Sequence, residues 1–142
     1  MARFNIIDHT ADIAVEIWGS DLEELFESGY LAWRELSIDP FQSESYEIKK
    51  IIFESNSIEE LLVEFLSEIN YLLHARKWYC GKMKNFSIQQ DKEHYYLQAE
   101  LWGNNLYASK KQVKEEIKAV TFHQMKIEHT HNKFYTKIIF DI

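Results

Sequence analysis

Two aspartates far apart in the chain are the residues whose types best fit a chemical role. Asp12 opens an alternating segment, and Asp141 is the second-last residue of the sequence. The α-carboxylate of Ile142 would add a third anionic group. Oxygen ligands of this kind suit a hard divalent cation such as calcium, magnesium or manganese better than they suit zinc. These residue types therefore indicate a divalent-metal site, provided that the strands carrying the two aspartates pair with each other.

A structural role is the alternative for both aspartates. Acids at strand ends are common because an aspartate can bond to the backbone of its own turn. Asp12 would then cap a turn, and Asp141 would be a frayed terminal residue. Spacing alone favours this alternative, so the distance between the two aspartates in space must decide.

Lys118 stands in an otherwise apolar segment, residues 117–123. A lysine there could neutralise the acidic edge or reach a phosphate on a ligand. The alternative is a surface lysine whose aliphatic stem lies on apolar neighbours while its ammonium stays in water. The pattern alone favours that alternative.

Histidines offer weaker indications of metal binding. His9 lies three residues before Asp12 and could bind a metal or donate to a carboxylate, although a turn histidine bonded to the backbone is the simpler interpretation. His129 and His131 alternate with Thr130, a weak transition-metal pattern. A solvated hairpin tip is the alternative for this pair, and it is favoured because the segment is predicted to be an exposed turn.

Composition predicts one domain spanning residues 1–142, since 46% hydrophobic content is enough for a core. The single cysteine, Cys80, cannot form an internal disulfide, which suits a reducing compartment, with the cytoplasm as default. We expect a soluble protein, because neither a signal peptide nor an apolar run of membrane-spanning length is present. A net charge of −7 argues against wrapping nucleic acid unaided.

Capping patterns and apolar periodicity predict two helices. Ser20 begins a capping box ahead of a helix that ends before Pro40, and Ser57 begins a second box ahead of a helix that runs to about Lys77. Gly81 is predicted to supply the left-handed turn beyond the second helix.

Segments with a period of two predict the strands. They are residues 4–7, 13–19, 46–54, 86–88, 95–101, a segment from 117 and 134–140, with 91–93 as a hairpin turn. This order of elements predicts an α+β fold: a two-layer sandwich of a mostly antiparallel sheet with two helices on one face.

Five segments taken together, and in this order, resemble the archease family across the whole chain. They are residues 8–12 (DHTAD), 22–26 (LEELF), 61–66 (LLVEFL), 117–123 (IKAVTFH) and 139–142 (IFDI).

The resemblance implies an elaborated strand-helix-strand-strand (SHS2-like) domain that activates an RtcB-type RNA ligase in tRNA splicing. Such a ligase charges its own histidine with GMP from GTP, using manganese, and joins a 2′,3′-cyclic phosphate end to a 5′-hydroxyl. The accessory protein promotes guanylylation and multiple turnover, does not join RNA itself, and meets tRNA only through the ligase.

The resemblance also assigns residues. Asp12, Asp141 and Ile142 fall on the family's metal positions, and Lys118 falls on its functionally required lysine. Calcium is the ion expected in crystals, with manganese or magnesium in function. His9 and His123 fall within matching motifs without a firm role.

Two other classes of function stay open at this stage. The protein could be a metal-dependent phosphoesterase in which Asp12, Asp141 and His9 activate a water molecule. It could instead be a binding module or chaperone whose acids serve only solubility. Phosphoester turnover by the protein alone would favour the first class. Ligase binding without any divalent ion at the acidic edge would favour the second.

Overall fold

The structure is a computed structural model that describes residues 3–8, 12–38, 46–92, 94–106, 113–121 and 125–142. Its elements are β1 (Arg3–Asp8), β2 (Asp12–Gly19), α1 (Leu22–Ser37), β3 (Glu47–Ser55), α2 (Ile58–Ala75), β4 (Trp78–Asp91), β5 (His94–Asn105), β6 (Ala119–Thr121), β7 (Glu128–Thr130) and β8 (Lys133–Asp141). Neighbouring strands pair antiparallel. The predicted α+β class with two helices is therefore confirmed. Neither of these helices has the length and apolar character needed to cross a membrane.

The strands divide into two sheets, where the sequence analysis expected one. The first has the order β1-β2-β8-β6, with β7 also pairing with β8, and the second has the order β3-β5-β4. Both helices contact strands of both sheets. A period of two identifies the buried face of a strand but not its neighbours, and that is why the division was not foreseen.

The N-cap of helix α1 lies one residue later than predicted. The Asp21 side chain accepts a hydrogen bond from the Glu24 backbone N–H at 2.7 Å, so Asp21 is the N-cap. Ser20 instead donates its own backbone N–H to Glu24 Oε1 at 3.1 Å. Both side chains are good caps, and the carboxylate adds a favourable interaction with the helix dipole. In α2 the predicted cap is confirmed, since Ser57 Oγ accepts from the Glu60 N–H at 3.2 Å.

The turn after α2 uses a lysine and not the glycine that was predicted. Lys77 has a φ of 53°, whereas Gly81 lies inside β4 and no described glycine has a positive φ. The Lys77 carbonyl accepts from the Leu106 N–H at 2.8 Å. The left-handed residue is needed here because β4 starts directly afterwards, at Trp78.

Aromatic side chains join the helices to the second sheet. The Phe65 ring lies 5.8 Å from Phe26 and 5.4 Å from Phe86, measured between centroids, so one cluster links α1, α2 and β4.

Cys80 is fully buried in the core, and burial raises the pKa of its thiol to about 12. The thiol therefore stays protonated and acts as a packing group, because only the thiolate is a good nucleophile.

Candidate functional site

The pairing of β2 with β8 places the two aspartates of the metal hypothesis directly opposite each other. In the register of these strands, Asp12 faces Asp141 and Ile13 faces Phe140. Side chains of opposed residues lie on the same face of a sheet with Cβ atoms about 5 Å apart, and two like charges in that position repel. The pair is therefore better accommodated with a cation between the carboxylates than without one.

Strand β6 holds Asp141 from the other side. Ala119 faces Asp141 in the register, and the Lys118 N–H donates to the Asp141 carbonyl at 2.7 Å. The Thr121 hydroxyl donates to Asp141 Oδ2 at 3.2 Å, which orients the carboxylate. Thr121 was not singled out from the sequence, although a hydroxyl within an apolar strand segment was a signal. Asp141 thus sits at the end of a strand that is paired on both edges.

The side chain of Lys118 does not join the acids. It is exposed and lines a cleft of about 440 Å³ between α2 and residues 116–120, together with Tyr71 and His74. Within the ranges that the structure describes, its ammonium makes no ion pair. The suggestion that it neutralises the acidic edge is therefore not borne out.

Asn70 fixes the segment that leads into Lys118. Its Oδ1 accepts from Trp33 Nε1 at 3.0 Å, and its Nδ2 donates to the Ile117 carbonyl at 2.7 Å. Asn70 is buried, so both bonds form away from water. The sequence analysis missed this residue, although an amide four residues beyond Leu66 on the apolar stripe of α2 was a visible signal.

Replacing Asn70 by alanine is expected to lower the free energy of unfolding by about 3 kcal/mol. The change leaves the Trp33 N–H and the Ile117 carbonyl without partners, and each buried unpaired group costs about 1–3 kcal/mol. Urea denaturation followed by tryptophan fluorescence measures the loss. Ser67→Ala in the same cleft wall is the control, expected within about 0.5 kcal/mol of the parent protein. Equal stability of the Asn70 variant and the control would show that the bridge is unimportant.

Among the described residues, His129 and His131 belong to no group of side chains that could hold a metal. His9 and His123 lie outside the described residues. The His129 ring stacks on Phe134 with centroids 3.9 Å apart and planes 9° apart, and His131 lies in the turn between β7 and β8 with a φ of 51°. The hairpin interpretation of this segment is confirmed.

The chemistry of the donors fits a hard cation but leaves its coordination incomplete. Asp12 and Asp141 offer carboxylate oxygens only, which suits calcium, magnesium or manganese. Among the described residues, no group of three or more histidine, cysteine, aspartate or glutamate side chains could hold a metal. Because calcium takes about 6–8 oxygen ligands, the rest would come from main-chain oxygens, water or a partner.

Known proteins resemble this chain over nearly its full length. The sequence matches the profile of the Archease protein family over residues 4–142. Protein archease of Pyrococcus abyssi is 33% identical over 128 residues, covering 90% of this chain and 89% of the relative. Protein archease of Methanosarcina acetivorans is 29% identical over 140 residues, covering 99% of this chain and 96% of the relative.

Solved structures share the fold. The solution structure of Methanobacterium thermoautotrophicum protein 1598 superposes with a TM-score of 0.80 at 27% identity, over 98% of both chains. The crystal structure of an archease, "possible chaperone", from Thermotoga maritima gives a TM-score of 0.62 at 26% identity, over 96% of this chain and 94% of that one. Sequence and structure both match over nearly the full length, and the chain therefore belongs to the archease family.

Proposed function

We propose that this protein is a non-catalytic accessory factor of an RtcB-type RNA ligase in tRNA splicing, acting in the cytoplasm. In this role it promotes transfer of GMP from GTP to the ligase's histidine and supports multiple turnover. Family membership supports an accessory role in general terms. The observation that carries the proposal is the opposition of Asp12 and Asp141 across β2 and β8.

The acidic pair is proposed to act as half of a binding site that the ligase completes. Asp12 and Asp141 present oxygen donors from neighbouring strands, and the main-chain carboxylate of Ile142 is proposed as the third ligand. Thr121 orients one of these carboxylates by its hydrogen bond to Asp141. A divalent cation, when bound there, supplies positive charge that stabilises charge developing on the phosphates of GTP.

Lys118 is proposed to contact the nucleotide phosphates or a carboxylate of the ligase. Its backbone is held against Asp141, while its ammonium is exposed in the cleft beside α2. A charge-assisted hydrogen bond to phosphate or carboxylate is stronger than one between neutral groups. Asn70 fixes the backbone of the preceding residue, Ile117, so the point at which the Lys118 side chain leaves the main chain is held in place.

Ligase guanylylation tests the proposal directly. The purified ligase is incubated with GTP over a series of manganese, magnesium and calcium concentrations, with and without this protein, and the ligase–GMP adduct is measured over time. We expect the protein to raise the rate several-fold and to allow more than one ligation per ligase molecule. No change at any GTP or metal concentration would reject the accessory role. Hydrolysis of a phosphodiester by the protein alone with manganese would instead support a hydrolase.

A further inference from the structure

The outer face of the three-stranded sheet carries an unusual combination of side chains. The strand register places Ile48, Trp102 and Lys82 in one row across the sheet, and Lys50, Glu100 and Lys84 in the next. Residues that alternate with these, such as Ile51, Leu97 and Leu101, point into the core. We call this outer surface the lysine–tryptophan face and define it by Tyr46, Lys50, Ile52, Lys82, Lys84 and Trp102.

Lysine ammonium groups lie directly over the aromatic rings of this face. The Lys84 Nζ is 4.3 Å from the Trp102 ring centroid, and the Lys82 Nζ is 5.0 Å from the same ring and 4.6 Å from that of Tyr46. The Tyr46 and Trp102 centroids are 6.0 Å apart. Cation–π contacts of this kind hold the positive charges next to flat apolar surfaces.

The face is locally positive in a chain whose net charge is −7. Near Trp102, three lysines, Lys50, Lys82 and Lys84, stand against Glu100, whose carboxylate accepts from Trp102 Nε1 at 3.2 Å. Glu54 lies on the same side of β3, beyond Ile52. Lys82 also borders a cleft lined by acidic side chains of α1, so Lys50 and Lys84 are the more available charges. An anionic partner would therefore be attracted to the end of this face that carries Trp102 and the three lysines.

Apolar and amide groups complete the face. Ile52 is 76% exposed and Ile48 is 47% exposed, which is a large exposure for apolar side chains in a strand. A depression of about 190 Å³ lies beside Ile52, lined in part by the amides of Asn85 and Gln98. Amide groups can donate to and accept from the edges of nucleobases, and isoleucine side chains can cover their faces.

We propose that the lysine–tryptophan face binds single-stranded RNA. Lys82 and Lys84 would swing off the rings to contact phosphates, and unpaired bases would stack on Trp102 and Tyr46 in their place. Single-strand binding surfaces combine phosphate contacts with base stacking in this way. An acidic peptide would satisfy the lysines but would leave the exposed isoleucines and the half-buried rings without a matching flat apolar group. The site is separate from the acidic pair on β2 and β8, so this inference does not depend on the proposed ligase role.

Fluorescence anisotropy of a labelled 12-nucleotide oligouridylate tests the inference, with the full chain and no ligase present. We expect saturable binding at low salt, with log K falling against log salt with a slope of about −2, because about three lysines would neutralise phosphates at roughly 0.7 each. The double variant Lys50→Gln/Lys84→Gln should reduce this slope to about −0.7 and weaken binding at least tenfold. Trp102→Leu should weaken binding roughly tenfold with little change in slope.

Lys133→Gln/Lys137→Gln on β8 is the matched control, because it removes the same charge from the other sheet. It should bind RNA like the parent protein. Equal loss in the control and the face variant, or no binding at low salt, overturns the inference. A protein partner would replace RNA as the occupant if the parent protein binds no RNA and the face variant loses dimerisation or ligase binding. That result overturns the inference. Should Trp102→Leu fail to fold, the lysine variants decide the outcome.

Discussion

Replacing either Asp12 or Asp141 by asparagine should reduce stimulation of ligase guanylylation to the unstimulated rate. The amide has nearly the same shape, and its oxygen can still accept from the Thr121 hydroxyl, so the fold should be preserved. What the change removes is a negative charge that a hard cation requires, since a neutral amide is a weaker ligand than a carboxylate. The ligase–GMP adduct, measured over time with each variant, gives the result.

Thermal unfolding separates loss of the site from loss of the fold. Without metal, each variant should unfold at or slightly above the temperature of the parent protein, because a pair of opposed like charges has been relieved. A divalent cation should stabilise the parent protein and not the variants, since a ligand that binds only the native state raises stability. Asp91→Asn, at the exposed end of β4, is the charge-matched control. Full stimulation by the Asp141 variant would remove this pair from the mechanism.

Replacing Gly103 by alanine should destabilise the protein by about 3 kcal/mol or more, the upper end of the cost of overpacking. Gly103 lies in β5 opposite Cys80, and an added Cβ would collide with the Tyr79 carbonyl oxygen and with the Trp78 ring. Since the obstacle includes backbone of the paired strand, relief requires β4 and β5 to separate locally. Thermal unfolding should show a fall of about 10 °C for a domain of this size.

Gly81→Ala on the adjacent strand is the matched control for this prediction. There an added Cβ would come within 3.3 Å of the edge of the Tyr46 ring, a side chain that can shift by a few tenths of an ångström. We expect a change of less than about 1 kcal/mol in either direction, because alanine is also better tolerated than glycine inside a strand. Equal unfolding temperatures for the two variants would contradict the packing argument at Gly103.

Helices and strands could be predicted where all of the groups that determine them lie within one short segment of the sequence. Ser57 and Glu60 define the start of α2 because a cap needs only a side-chain acceptor and a backbone N–H three residues later. The same logic placed the start of α1 one residue early, since Ser20 and Asp21 are both good caps. The strand pairing on which the hypothesis for Asp12 and Asp141 depended is also observed, since β2 pairs with β8 in the register that opposes them.

Features that depend on contacts between distant segments could not be predicted. The division into two sheets depends on which strands become neighbours, and alternation does not contain that information. The bridge through Asn70 requires Trp33 and Ile117 to meet it from other elements. The direction of the Lys118 side chain depends likewise on where α2 packs. The lysine–tryptophan face could not be predicted because its lysines come from two strands, β3 and β4, that meet only through β5. The net charge of the whole chain does not reveal such a local group of lysines.

Because both edges of β8 are paired, the end of this strand has little freedom to move when an ion binds. Strand ends normally fray, but the backbone of Asp141 is held by β2 on one side and by the Lys118 N–H on the other. The separation between the backbones of Asp12 and Asp141 is thus largely set before any ion arrives. Such a rigid frame cannot contract easily around a small ion, so ionic radius, and not charge alone, would govern which divalent ion it prefers.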